Sequence, residues 1–187
     1  MFDKLNTTDA ISAGLIARNN ADEQMEIHGR YHVECLGADG SVKWTDEIDN
    51  LVTTVGKNDL LTQYLKGSAY SAGTVYMGLK GTGTAAAGDT MASHAGWSEL
   101  NITSTPASGA RASTTFGTAS AGSLATSSAV SFVMSSSATV AGVFLVTNGG
   151  AATNASTTGI LFSAGDFASS RSVVSGDTLN VTYTASV

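Results

Sequence analysis

Beyond residue 67 the chain offers almost nothing but short apolar-alternating segments, and that pattern restricts its fold more than any other feature. Val75–Leu79, Leu100 to Ile102, Arg111–Phe116, Ala129–Met134, Val140–Thr147, Thr158–Phe162, Arg171–Val174 and Thr178–Thr184 follow one another, separated by Gly, Ser, Asn and Asp clusters. Alternation with period two places successive side chains on opposite faces of a strand. Thr147-Asn148-Gly149-Gly150 and Ser175-Gly176-Asp177 are turn sequences, because Asn, Asp and Gly tolerate positive φ. Many short strands at such spacing, with hardly any helix among them, predict an all-β, jelly-roll-like antiparallel β-sandwich.

The first third is different. Tyr31, Val33 and Cys35 alternate with His32, Glu34 and Leu36, and Gly37-Ala38-Asp39-Gly40 supplies the turn to a return strand with Val42, Trp44 and Ile48. This predicts a hairpin. Leu51, Val52 and Val55 lead into a short helix at about 57–66, capped by Thr54 or Asn58 and stopped by Gly67. Its apolar face would carry Leu60, Leu61, Tyr64 and Leu65. A helix that short needs a sheet or a partner to dock against. Trp44, Ile48, Leu51, Val52, Leu61 and Leu65 are therefore expected to be buried, in the fold or at a subunit contact. Residues 1–29 read as an N-terminal arm, with Ile11, Leu15 and Ile16 as its apolar contacts, and 30–187 as the sandwich domain.

Charge is unevenly spread. Residues 1–50 hold ten acids and four bases, whereas 51–187 hold five of each. A net acidic chain lacks the basic face that neutralises phosphates, so no nucleic-acid partner is expected. The arm suits a basic protein surface better. No secretory leader and no apolar run long enough to span a membrane is read. Cys35, the single cysteine, excludes an internal disulfide and reads as a buried thiol.

Chemistry finds little footing. The segment GLKGTGTAAAGDT is glycine-rich, but no Gly-Lys-Ser/Thr follows its last glycine and no long helix opens behind it, so a phosphate cradle is not formed. His28 and His32 are four apart, yet on a strand that separation is about 13 Å, too far to share one zinc. Asp89, Ser93 and His94 supply the residue types of a nucleophilic triad, but within six residues they cannot converge as one. Adjacent Asp46 and Glu47 point to opposite faces of a strand. No catalytic residue, cofactor or metal is expected. Asp46, Glu47 and Asp49 read as an interface rim. Trp97, flanked by Gly and Ser, is the aromatic residue most open to exposure, at an interface or, in an alternative reading, on a carbohydrate platform.

The phrases KWTDEIDNLVTTVGKNDLL, VYMGL, GDTMASHAGWSEL, VAGVFLV and the ending RSVVSGDTLNVTYTASV resemble a group of small virion proteins of tailed bacteriophages. The likeness covers roughly residues 30–187 and is closest to capsid decoration, or cement, proteins. It implies a jelly-roll-like sandwich without catalytic residues, held on the outer capsid surface of particles assembled in the host cytoplasm. It further implies the major capsid protein as partner, self-association as a dimer or trimer, and an arm that reaches neighbours. A tail- or fibre-associated structural protein and a carbohydrate-binding sandwich for host attachment are the alternatives.

Overall fold

The computed structural model describes residues 26–65 and 73–187. Twelve strands and one helix follow in the order β1 (His28–Leu36), β2 (Val42–Asp49), β3 (Leu51–Val52), α1 (Thr54–Leu65), β4 (Val75–Gly83), β5 (Trp97–Glu99), β6 (Thr103–Thr105), β7 (Ala112–Thr114), β8 (Ser123–Ala125), β9 (Val130–Met134), β10 (Ala138–Thr147), β11 (Ile160–Val173) and β12 (Thr178–Ser186). They form two antiparallel sheets packed as a sandwich. The first sheet runs β2-β1-β12-β9-β6, with β8 also on β12; the second runs β3-β11-β10-β4-β5, with β7 also on β4. β1 lies beside the last strand in one sheet and β3 beside the second-last in the other, a pairing compatible with jelly-roll winding.

Alternation builds the core. Tyr31, Val33 and Cys35 of β1 and Leu179, Val181 and Tyr183 of β12 face inward, against Met77 and Leu79 of β4 and Val143 and Leu145 of β10. Burying each such side chain contributes roughly 1.5–3 kcal/mol. The first hairpin forms as its sequence predicts: Gly40 takes φ +80°, and Ser41 N–H donates to Asp39 Oδ1 at 3.0 Å. Thr158–Phe162 and Arg171–Val174, expected as two strands, belong to the single strand β11. Register shifts at Val140/Gly142 and Leu145/Val146 absorb the residues that read as a break.

One polar group crosses the core. Tyr31 and Ser163 share a 2.6 Å hydroxyl hydrogen bond between the sheets, and Asn50 Nδ2 donates to Tyr183 Oη at 3.0 Å. The two phenol rings lie 4.7 Å apart. Burial pushes both phenols above the ordinary 10.0, Tyr31 well above it, and pushes the Cys35 thiol above 9.0.

The helix begins earlier than its sequence suggested. Thr53 is the cap, not Thr54 or Asn58: Gly56 N–H donates to Thr53 Oγ1 at 3.1 Å, while the Thr53 hydroxyl reaches the Leu161 carbonyl. Thr53 N–H also donates to the Phe162 carbonyl, at 3.1 Å, so the cap is fastened to β11 before the helix starts. Gly56 is the only buried residue of α1. A Cβ there would sit against the Phe162 carbonyl oxygen and 2.9 Å from Phe162 Cα.

Two predictions follow from these contacts. Gly56→Ala, which would stabilise an exposed helix by about 1 kcal/mol, should here cost about 1–3 kcal/mol in urea unfolding, because helix or strand must move. The raised phenol and thiol groups favour the folded chain in their neutral forms. That stability is complete below pH 9.0 and is lost as pH rises through the folded-state values, so the urea midpoint should fall progressively above pH 9.0. A midpoint that stays level past pH 10.0, the free phenol value, would contradict the buried assignment.

Candidate functional site

An uncovered apolar strip lies on and beside α1. The helix meets the sheet through Gly56, and Leu61 and Leu65 are not drawn inward, whereas Leu60 is half-buried. Leu61, Tyr64 and Leu65 are 45, 85 and 73% exposed, and Leu51 on the neighbouring edge strand is exposed too. This corrects the expected burial of Leu51, Leu61 and Leu65 within the fold; Ile48 and Val52 are buried as expected, and Trp44 is half-buried. Behind the strip, Leu60, Gln63, Tyr64, Thr147 and Phe162 line an apolar cleft of about 480 Å³. Asp59 fixes this end of the helix, accepting from Gln63 Nε2 at 3.0 Å and from Asn148 Nδ2 at 2.9 Å. Ile27, Leu51, Lys57 and Leu61 line a second cleft of about 430 Å³, where the chain enters β1.

The three acids of β2 separate into two environments. Asp46 is half-buried: its carboxylate accepts from Arg171 Nη2 at 2.7 Å and Nε at 3.0 Å, closing the edge between the two sheets. Arg171 also lies over the Trp44 ring, at 5.6 Å. Glu47 and Asp49 do face solvent, across Arg30 on the outside of the first sheet. Ile11, Leu15 and Ile16 lie outside the described residues.

Trp97 is enclosed rather than presented. It is 5% exposed, its indole N–H donates to Asp89 Oδ2 at 2.9 Å, and it packs between His94 and Phe144. Gly96 and Ser98 beside it misled the sequence expectation. They sit where β5 crosses Gly83, whose missing side chain allows the approach. The same geometry disposes of a triad: Asp89 serves the indole and Ala86 N–H, while His94 Nδ1 faces the Trp97 carbonyl at 3.1 Å. His28 and His32 line the outer face of β1 with Arg30 between them, and no three metal-binding side chains converge among the described residues.

Sequence reading missed two buried charge pairs on the outer face of the second sheet. Arg111 Nε and Nη2 clasp Glu99 at 3.1 and 2.5 Å, and its Nη1 and Nη2 reach the carbonyls of Ala151 and Ser156. Lys80, wholly buried, meets Asp166. The signal was the run Val140–Val146, apolar at consecutive positions, which marks a strand covered on both faces. Charged residues on its neighbours then have nowhere to face but inside.

No protein-family model matches the chain, and no curated protein matches it.

The Arg111–Glu99 clasp is a structural element by this geometry. Glu99→Ala should cost about 3–5 kcal/mol in urea unfolding, because it strands a guanidinium that is 0% exposed. A loss within 0.5 kcal/mol would show that the pair is solvated.

Proposed function

We propose that the chain is a non-enzymatic structural protein of a tailed-bacteriophage virion, binding the major capsid protein on the outer shell as a cement protein. The observation that carries this reading is the uncovered strip Leu51, Leu61, Tyr64 and Leu65. Large apolar side chains gathered on one surface signal an association face. The strip flanks the point where the chain enters β1, beside Glu26 and Ile27. The phage-like phrases supply the identity of the assembly; the sandwich and the strip supply a means of binding it.

A shell presents one surface many times. Modest contacts made at several points by a dimer or trimer add up, since each later contact forms at high effective concentration. The edge strands add a second device, pairing with a neighbour's sheet. In β2, the exposed Lys43, Glu47 and Asp49 oppose indiscriminate pairing of that edge. Trp97, the aromatic residue singled out for exposure, is enclosed, which favours the assembly reading over a glycan platform centred on it.

Co-sedimentation with purified capsid shells tests the reading. The triple variant Leu61→Ser, Tyr64→Ser, Leu65→Ser should keep its stability within about 0.5 kcal/mol, these being exposed positions, yet bind shells at least tenfold more weakly. Deleting residues 1–27 should also weaken binding. Shell binding unchanged in both variants would overturn the proposal, and retention on purified tails instead would move the protein to the tail.

A further inference from the structure

Lys80 and Asp166 occupy one rung of the second sheet, on either side of Gly142. Gly142 is the register partner of Lys80 on one side and of Asp166 on the other. The two Cα atoms are thus two strand spacings apart, about 10 Å. Gly142 has no side chain, the Gly165 carbonyl oxygen lies where its Cβ would be, and the lysine Nζ meets the aspartate Oδ1.

The two buried cations of this face contrast sharply. Arg111 satisfies its guanidinium with two carboxylate and two carbonyl acceptors. Lys80 has three donor positions, a side chain 0% exposed and, among the described residues, beyond Asp166 only the Gly83 carbonyl at 3.4 Å. The Trp97 ring centroid lies 5.1 Å from Nζ, and Met91, Phe144 and Leu161 fill the same apolar cluster. An amine nitrogen and a carboxyl carbon held side by side are a nucleophile and an electrophile, and the proton that Nζ sheds as it attacks can go to the adjoining Oδ1. The other carboxyl oxygen is already prepared: Ala85 N–H donates to Oδ2 at 2.9 Å. A backbone donor there stabilises negative charge as it develops.

We propose that the folded chain joins Lys80 to Asp166 through an intramolecular amide bond. The Nζ lone pair attacks Cγ, forming the N–C bond and moving the carbonyl electrons onto Oδ2, opposite Ala85 N–H. A proton passes from Nζ to the Oδ1 hydroxyl. The Cγ–Oδ1 bond then breaks, the Oδ2 carbonyl re-forms and one water leaves. No oxidant, reductant or cofactor takes part. The Asp166 side chain is 27% exposed, which gives that water a way out. Each chain reacts once, so the step is self-modification rather than turnover. The bond staples β4 to β11 across β10, locking the strand that carries the Trp97 cover to the strand that carries α1. It stands independently of the virion assignment.

Intact mass of the purified full-length chain, taken under denaturing conditions, decides the matter. Wild type should weigh one water less than its sequence, and Lys80→Arg its full sequence mass. Trypsin should fail to cut after Lys80 and release a branched peptide joining the Lys80 and Asp166 segments. Asp166→Asn should reach the same final mass as wild type by losing ammonia instead. A wild-type chain at full sequence mass overturns the proposal. So does a water loss that persists in Lys80→Arg without a branched peptide, as cyclisation at Asp39-Gly40 would give. Should Lys80→Arg fail to fold, the wild-type digest alone gives the answer.

Discussion

The second sheet has protein on both sides. β10 and β4 face the first sheet with Val143, Leu145, Met77 and Leu79, and on the other side Phe144 and Val146 pack under Trp97, Met91 and the segments that cross them. A strand so placed can carry neither a free charge nor a large side chain at every position. The sequence meets the constraint with glycine where two groups must overlap. The Phe144 ring lies on Gly78, and the Gly165 carbonyl of β11 lies against Gly142. Charges on that face are answered in pairs, Arg111 by Glu99 and Lys80 by Asp166.

The same economy extends to the margins. Arg171 is matched by Asp46, and Lys43 by Asp177 at 2.6 Å in the β11–β12 turn, where Asp177 Oδ2 also accepts from Val174 N–H. Ion pairs therefore tie the neutral body to β2 at two places. Among the described residues, one side of α1 is left with large apolar side chains uncovered. Because a glycine makes the close contact at the first turn of the helix, Leu61, Tyr64 and Leu65 of the later turns project outward. Tight docking at one end and an uncovered strip at the other are two results of the same residue.

Strand alternation made the sandwich legible before any coordinates. The first hairpin, the paucity of helix and the inward set Tyr31, Val33, Cys35 and Ile48 could all be read from residue order. Features set by pairs distant in sequence could not. Asp46 reads as an exposed acid until Arg171, 125 residues later, lies against it. Lys80 reads as a loop lysine until Asp166 and the Trp97 segment close over it. Trp97 sits between residues typical of loops, and only the crossing at Gly83 encloses it. The helix starts earlier than residue order suggests because its cap, Thr53, is also bonded to β11, a contact that the local sequence does not reveal.

The proposed assembly contact is the side of α1 that the sandwich leaves bare. A cryo-electron microscopy map of the intact particle tests this most directly. The account predicts copies of the sandwich on the outer shell, with Leu61, Tyr64 and Leu65 covered by a neighbouring subunit. Copies seated on the shell with that strip facing solvent, or found only in the tail, would contradict it.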